Sequence, residues 1–159
     1  VAVIVEHKLG LSCREMTEAD LTPVLAIEAQ CHLSPWSYEN FLASIDSAHA
    51  CWVLETHEQI IAYAITSTVL GEAELLNITV APAMQQQGIA SAFLVALCDS
   101  FSETIETFFL EVRESNIAAI GLYQALDFNE VGRRPNYYPA KKGREDALIM
   151  AKILGSPFE

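Results

Sequence analysis

The sequence predicts a single α/β domain in which a mixed, twisted sheet is flanked by helices on both faces, and three observations carry that expectation. The chain has 159 residues, which suits one core of ~100–200 residues. Segments of helical and strand period alternate along it instead of separating into halves. Near the middle, a strand runs into a glycine turn and then into a helix. Apolar residues at 52% and charged residues at 19% exclude a disordered, collagen-like or coiled-coil chain.

Each element follows from its local pattern. Residues 1–9 form an N-terminal extension, apolar at first but without a small-residue cleavage pattern, and 10–155 form the domain. Thr17, with Asp20 three residues on, caps a helix whose apolar positions are Leu21, Val24, Leu25 and Ile27 and which ends near Cys31. His32 to Trp36 break the pattern, and Ser37 caps a second helix through Phe41, Leu42 and Ile45. Three strands follow as an antiparallel meander: Cys51 to Glu55, Ile60 to Val69, and Glu74 to Val80. After Pro82 the glutamine-rich turn opens a helix with Phe93, Leu94, Leu97, Cys98 and Phe101 on one face. Thr107 to Arg113 reads as a buried strand, and Ser115 or Asn116 caps a helix that turns Ile117, Ile120 and Leu122 inward. Two last strands, Asp127 to Gly132 and Ala147 to Leu154, are joined by the polar segment Arg133 to Glu145.

Charge and cysteine content narrow the partners. Nine Lys plus Arg against 21 Asp plus Glu give a net charge of −12, so a nucleic-acid backbone is repelled. Basic proteins or peptides are the complementary partners, although acidity also serves solubility. No apolar run reaches the ~18 residues of a membrane span. Cys13, Cys31, Cys51 and Cys98 have no metal-ligand spacing, and the four histidines form no ligand cluster. The expectation is four reduced thiols, no metal and a cytoplasmic chain.

Three segments carry candidate chemistry. A helix start offers unpaired N–H groups to an anion, and small residues such as Gly88 and Ala90 permit close approach; a plain turn has the same signature. The segment fits neither a dinucleotide fingerprint nor a phosphate-binding loop with Gly-Lys. In the strand Thr107 to Arg113, Glu111 shares a face with Phe109 and Arg113. Apolar surroundings favour it as a proton acceptor, whereas pairing with Arg113 makes it a structural carboxylate. Asn116, Ile120 and Tyr123 are spaced by four and three residues, which puts a phenol on the same helix face as the cap. That phenol either donates a proton or packs in the core.

These segments together resemble the Gcn5-related N-acetyltransferases (GNAT) and, within them, the bacterial RimI type, the ribosomal protein alanine N-acetyltransferases. The similarity rests on Leu110 to Asn116 with Tyr123, on Arg134 to Pro139, on Gly143 to Ala147, and on Pro35, Trp36 and Ser37; it spans about residues 10 to 153. It implies transfer of acetyl from acetyl-CoA to a protein's N-terminal amine by direct attack. By that resemblance Ile78, Thr79 and Val80 bind the pantetheine arm, and Gln86, Gln87, Gly88, Ile89, Ala90 and Ser91 cradle the pyrophosphate. Asn116 contacts the cofactor near its thiol, Glu111 takes the amine proton and Tyr123 protonates the departing thiolate. Trp36, Tyr137 and Tyr138 line the substrate groove, although aromatic loop residues also cover cores. The partner implied is a basic protein N-terminus, that of a ribosomal protein, with no nucleic acid and no membrane. An α-amine with an unperturbed pKa of ~8 needs only a modest base.

Related chains carry an arginine in the turn where this one has Gln86, Ala90 and Ser91, so weaker binding of acetyl-CoA is expected. Two alternatives remain: a GNAT enzyme for a lysine side chain or a small-molecule amine, and a catalytically idle acyl-CoA-binding module. Retention of both Glu111 and Tyr123 speaks against the second.

Overall fold

The computed structural model describes residues 2–101 and 103–155; Val1 of the expected extension, Ser102 of the expected domain and residues 156–159 lie outside the described residues. The elements are β1 (Ser12–Glu15), α1 (Leu21–Cys31), α2 (Tyr38–Ile45), β2 (Ala50–Thr56), β3 (Gln59–Val69), β4 (Glu72–Val80), α3 (Ile89–Phe101), β5 (Thr107–Arg113), α4 (Ile117–Ala125), β6 (Asn129–Pro139) and β7 (Arg144–Ile153). The strands form a seven-stranded sheet in the order β1-β2-β3-β4-β5-β7-β6. β4 pairs in parallel with β5, and β1–β2, β2–β3, β5–β7 and β6–β7 are antiparallel. The sheet is thus mixed and carries four helices, the α/β class that the sequence predicts.

The chain divides into two compact units. The first comprises the described residues up to Ser67 together with Leu76–Ser100, and the second comprises Thr68–Leu75 with the described residues from Phe101 onward.

In the first unit, α1 and α2 place Leu21, Val24, Ile27 and Phe41 against Cys51, Val53, Tyr63 and Ile65 of β2 and β3. Phe41 meets Tyr63 edge to face at 5.7 Å, a favoured aromatic geometry. Leu54, Ala62 and Ala64 alternate with these positions and are also fully buried, so both faces of these strands are covered. Ser37 caps α2 as predicted, whereas Thr17 caps a 3-10 turn, Glu18–Asp20, that leads into α1. The Asp20 carboxylate accepts the Thr17 N–H at 2.8 Å. Ser37 and Asn40 bond reciprocally, at 3.0 and 3.1 Å. Val3 and Val5 of the extension are also buried.

In the second unit, Phe108 is the hub. It lies edge to face with Phe101 at 5.3 Å and with Phe128 at 5.7 Å. Leu110, Val112, Ala147, Leu148 and Met150 complete a buried layer on β5 and β7.

The structure corrects three expectations. A short strand, β1, precedes the first helix. The segment Arg133 to Glu145 is not a polar connection, because β6 continues through Pro139 and β7 begins at Arg144. On α4, Ile117 is exposed and Tyr123 is the buried residue, so the helix turns its phenol inward and not its first isoleucine.

Candidate active site

In the first unit, β4 ends in the predicted cofactor strand. Thr79 is buried and Ile78 partly exposed. The Val80 carbonyl accepts from the Gln85 side chain at 3.0 Å. The turn that follows needs left-handed backbone at Gln86 (φ +63°) and at Gly88 (φ +76°). Space around Gly88 is open, so backbone angle and not crowding favours glycine there. Gln86, Gln87 and Gly88 are exposed, while Ile89 is buried and anchors α3. The amides of Ile89, Ala90 and Ser91 belong to the first turn of a 13-residue helix, where N–H groups have no intrahelical acceptor and the dipole is positive. Such a turn fits a pyrophosphate held by backbone donors.

The extension braces this turn. The Leu9 N–H donates to His7 Nδ1 at 3.2 Å, which leaves Nε2 to carry the proton and donate to the Gln87 carbonyl at 2.7 Å.

A polar network absent from the sequence expectations ties β4 to α1. Glu28, on α1, is 1% exposed. Its Oε1 accepts from the Tyr63 hydroxyl at 2.7 Å and the Asn77 amide at 2.9 Å, and its Oε2 accepts the Trp36 backbone N–H at 3.0 Å. Asn77 Oδ1 accepts the Thr79 hydroxyl at 2.8 Å, so His32 Nε2 is the donor to Thr79 Oγ1 at 2.7 Å. Burial pushes the Tyr63 phenol far above its ordinary value and keeps it a donor. The signal was present in the sequence, since Glu28 falls one turn after Val24 in the buried stripe of α1. Trp36 itself is half-buried, with its ring 5.1 Å from Phe41, so it covers the core.

In the second unit, β5 holds Glu111 opposite Ile149 of β7, and Ile149 lies opposite Gly132 of β6. Glu111 pairs with Arg134 at 2.5 Å, not with Arg113 as considered from the sequence. Arg113 turns to the Pro139 carbonyl at 2.6 Å and lies 4.4 Å over the Tyr138 ring. The partner was hidden because Arg134 is contributed by β6, 23 residues away. Tyr137 and Tyr138 stand edge to face at 5.0 Å, and Arg134 lies 5.4 Å over Tyr137. A break in the β6 ladder between Arg134 and Tyr138, with Asn136 at φ +52°, lets these rings leave the regular alternation. The Asp146 carboxylate holds the bulge through the Asn136 N–H at 2.9 Å, and Arg144 donates to the carbonyls of Asn136 and Tyr137 at 2.8 and 2.7 Å.

Asn116 caps α4, its Oδ1 accepting the Ala119 N–H at 3.2 Å. Ser115 donates its hydroxyl and N–H to Glu145, and this holds the Glu145 carboxyl below its usual range. Burial, with a smaller contribution from Tyr138, pushes the Tyr123 phenol up to about 12. Tyr123 therefore keeps its proton at neutral pH, as a proton donor must. Burial also pushes the Cys13 and Cys51 thiols up to about 11, so they stay protonated. None of the four cysteines is joined in a disulfide. Among the described residues no group of three or more His, Cys, Asp or Glu is placed to hold a metal ion, and no helix is long and apolar enough to cross a membrane.

Comparison with known proteins adds the following. Residues 14–128 match the acetyltransferase (GNAT) family. The chain is 44% identical over 133 residues to the ribosomal protein bS18-alanine N-acetyltransferase of Escherichia coli, covering 83% of this chain and 90% of that protein. The crystal structure of the Escherichia coli ribosomal-protein-alanine N-acetyltransferase superposes with a TM-score of 0.87 at 40% identity, over 92% of this chain and 95% of that one. Arabidopsis thaliana NAA60 in complex with acetyl-CoA shares the fold, with a TM-score of 0.80 at 18% identity over 92% of this chain and 99% of that one.

Proposed function

The chain belongs to the acetyltransferase (GNAT) family and is an acetyl-CoA-dependent N-acetyltransferase, and from that premise we propose that it acetylates the N-terminal alanine of a small-subunit ribosomal protein. The observation that carries the acceptor is the 44% identity to an enzyme named for that alanine. The net charge of −12 is complementary to a basic ribosomal tail. The reading places the enzyme in the cytoplasm.

Acetyl-CoA supplies an activated thioester. Backbone donors at Ile78 to Val80 bind its pantetheine arm, and those at Gln86 to Ser91 hold its pyrophosphate. Asn116 contacts it near the sulfur. No cation from the turn itself assists, which makes binding weaker than in arginine-bearing relatives. The amine lone pair forms a bond to the acetyl carbon as the carbon–sulfur bond breaks. Glu111 accepts the proton that the amine loses, and Tyr123 gives its phenolic proton to the leaving thiolate. Trp36, Tyr137 and Tyr138 contact the acceptor.

Glu111 must release Arg134 to act as a base. Arg134 is 55% exposed whereas Glu111 is 17% exposed, so solvent screens the pair and an incoming ammonium competes with Arg134 for the carboxylate.

The test is acetyl transfer to short basic peptides beginning with Ala, with the N-terminus free or blocked, followed by mass spectrometry. Modification confined to the free α-amine is expected. Modification of lysine alone, or cofactor binding without turnover, overturns the reading.

A further inference from the structure

Glu28 occupies a position whose helical neighbours Val24 and Ile27 are core residues. An ionised side chain there is costly unless its lone pairs are met. Among the described residues no lysine or arginine pairs with it; the one basic neighbour is His32, whose Nε2 is 3.4 Å from Oε1. Hydrogen bonds therefore supply most of the compensation, and they come from two directions. Oε1 takes donors from the sheet, the Tyr63 hydroxyl and the Asn77 amide, and Oε2 takes the backbone N–H of Trp36.

The loop end of this arrangement has few other anchors. Among the described residues the N–H groups of Leu33 and Ser34 make no hydrogen bond, and Pro35 has none to offer. Trp36 N–H is the backbone donor immediately before the Ser37 cap of α2. The bond to Glu28 thus fixes where the loop ends and the helix begins.

Resting on the reading that Trp36 contacts the acceptor, we propose that Glu28 is a positioning residue for the acceptor amine, pinning the Pro35–Ser37 loop to the sheet. Both carboxylate oxygens accept, so one side chain serves the sheet and the loop together. A glutamine of the same shape has a single acceptor oxygen. Its amide nitrogen then faces either the Trp36 N–H or the Asn77 amide, donor against donor. Asn77 and Thr79 continue the network along β4 to His32, so the anchor of the loop is the strand assigned to the pantetheine arm.

The experiment combines steady-state kinetics with amide hydrogen exchange on wild type and Glu28→Gln. In the variant the KM for an Ala-starting peptide rises about tenfold, as expected for a lost hydrogen bond to a charged group. The KM for acetyl-CoA stays within about twofold, a split that a general loss of folded enzyme does not produce. Trp36 N–H exchanges slowly in wild type, more slowly than Leu33 and Ser34, and loses that protection in Glu28→Gln. Equal rises in both KM values, or a drop in kcat alone, overturn the proposal. Fast exchange of Trp36 in wild type overturns it without any variant, whether or not Glu28→Gln folds. If wild type fails to acetylate the peptide, the acceptor reading has failed. Trp36 exchange then decides the loop anchor alone: retained protection in Glu28→Gln overturns it and lost protection upholds it.

Discussion

Glu28 in the first unit is 1% exposed and accepts from Tyr63, Asn77 and Trp36. Arg133 in the second is 47% exposed at its side chain and meets Glu114, Glu130 and Asp146 at 3.1, 3.2 and 3.2 Å. Both are polar clusters with three partners, and they do different work. Inside the first unit a missing partner leaves a donor with no water to replace it, so the network is rigid. At the surface of the second, water and salt stand in for any lost partner, so the pairs stabilise little and can rearrange. The proton-accepting carboxylate assigned above, Glu111, belongs to this second, exchangeable kind.

Substitutions separate the two kinds of cluster. Replacing Glu111→Gln should lower kcat by about 10³-fold, within the ~10²–10⁴ range of general-base catalysis, while the melting temperature stays near that of wild type. A large loss of stability instead would put Glu111 with the rigid class. Tyr123→Phe should lower kcat by about 10². It should also alter alkaline stability. Unfolded, this phenol ionises near 10, and folded near 12. As pH rises through that window the unfolded chain gives up a proton that the folded chain keeps, so wild type loses stability and the phenylalanine variant loses less. Urea unfolding at several pH values across the window measures the difference.

Glu28→Ala should cost about 3–5 kcal/mol, the range for removing one side of a buried polar pairing, read as a shifted denaturation midpoint with unchanged slope. Arg133→Ala, the matched surface deletion, should leave the midpoint within replicate error. A modest effect, read in cofactor binding and not in stability, is expected of His7→Ala, which removes the brace on the Gln87 carbonyl. The KM for acetyl-CoA should rise about threefold with kcat unchanged, as for loss of one neutral hydrogen bond. An unchanged KM would mean that the turn holds its shape without the extension.

Most of the fold could be read along the chain where burial imposes a period. Thr107 to Arg113 was delimited to the residue because its buried and half-buried positions alternate throughout. α2 was legible from its cap and α1 from the spacing of Leu21, Val24 and Ile27. β1 was not, because four residues with a burial pattern of one half-buried position among exposed ones show no alternation. β6 was read as ending at Gly132, short of its true end at Pro139, for a related reason. It is the edge strand of the sheet and almost wholly exposed, and it contains Pro135, which edge strands tolerate. Its polar sequence therefore resembles a loop, and with it the Arg134 partner of Glu111 went unseen. The candidate site was legible as a set of residue types through family resemblance. The hydrogen bonds that tie Glu28 to Trp36 were not, since they join residues through space that no local pattern relates.

One feature of the chain's path reaches beyond catalysis. Residues 68–75 belong to the second unit although the sequence on either side, through Ser67 and again from Leu76, belongs to the first. Neither unit is a continuous stretch of sequence. A single recombination crossover between residues 68 and 100 of two related genes would therefore leave both units of mixed parentage, and exchange of the second unit whole requires joints at the two ends of 68–75 and again before Phe101. A laboratory chimaera that moves Tyr137 and Tyr138 with the rest of their unit must therefore carry the 68–75 segment along, cut at both of its ends.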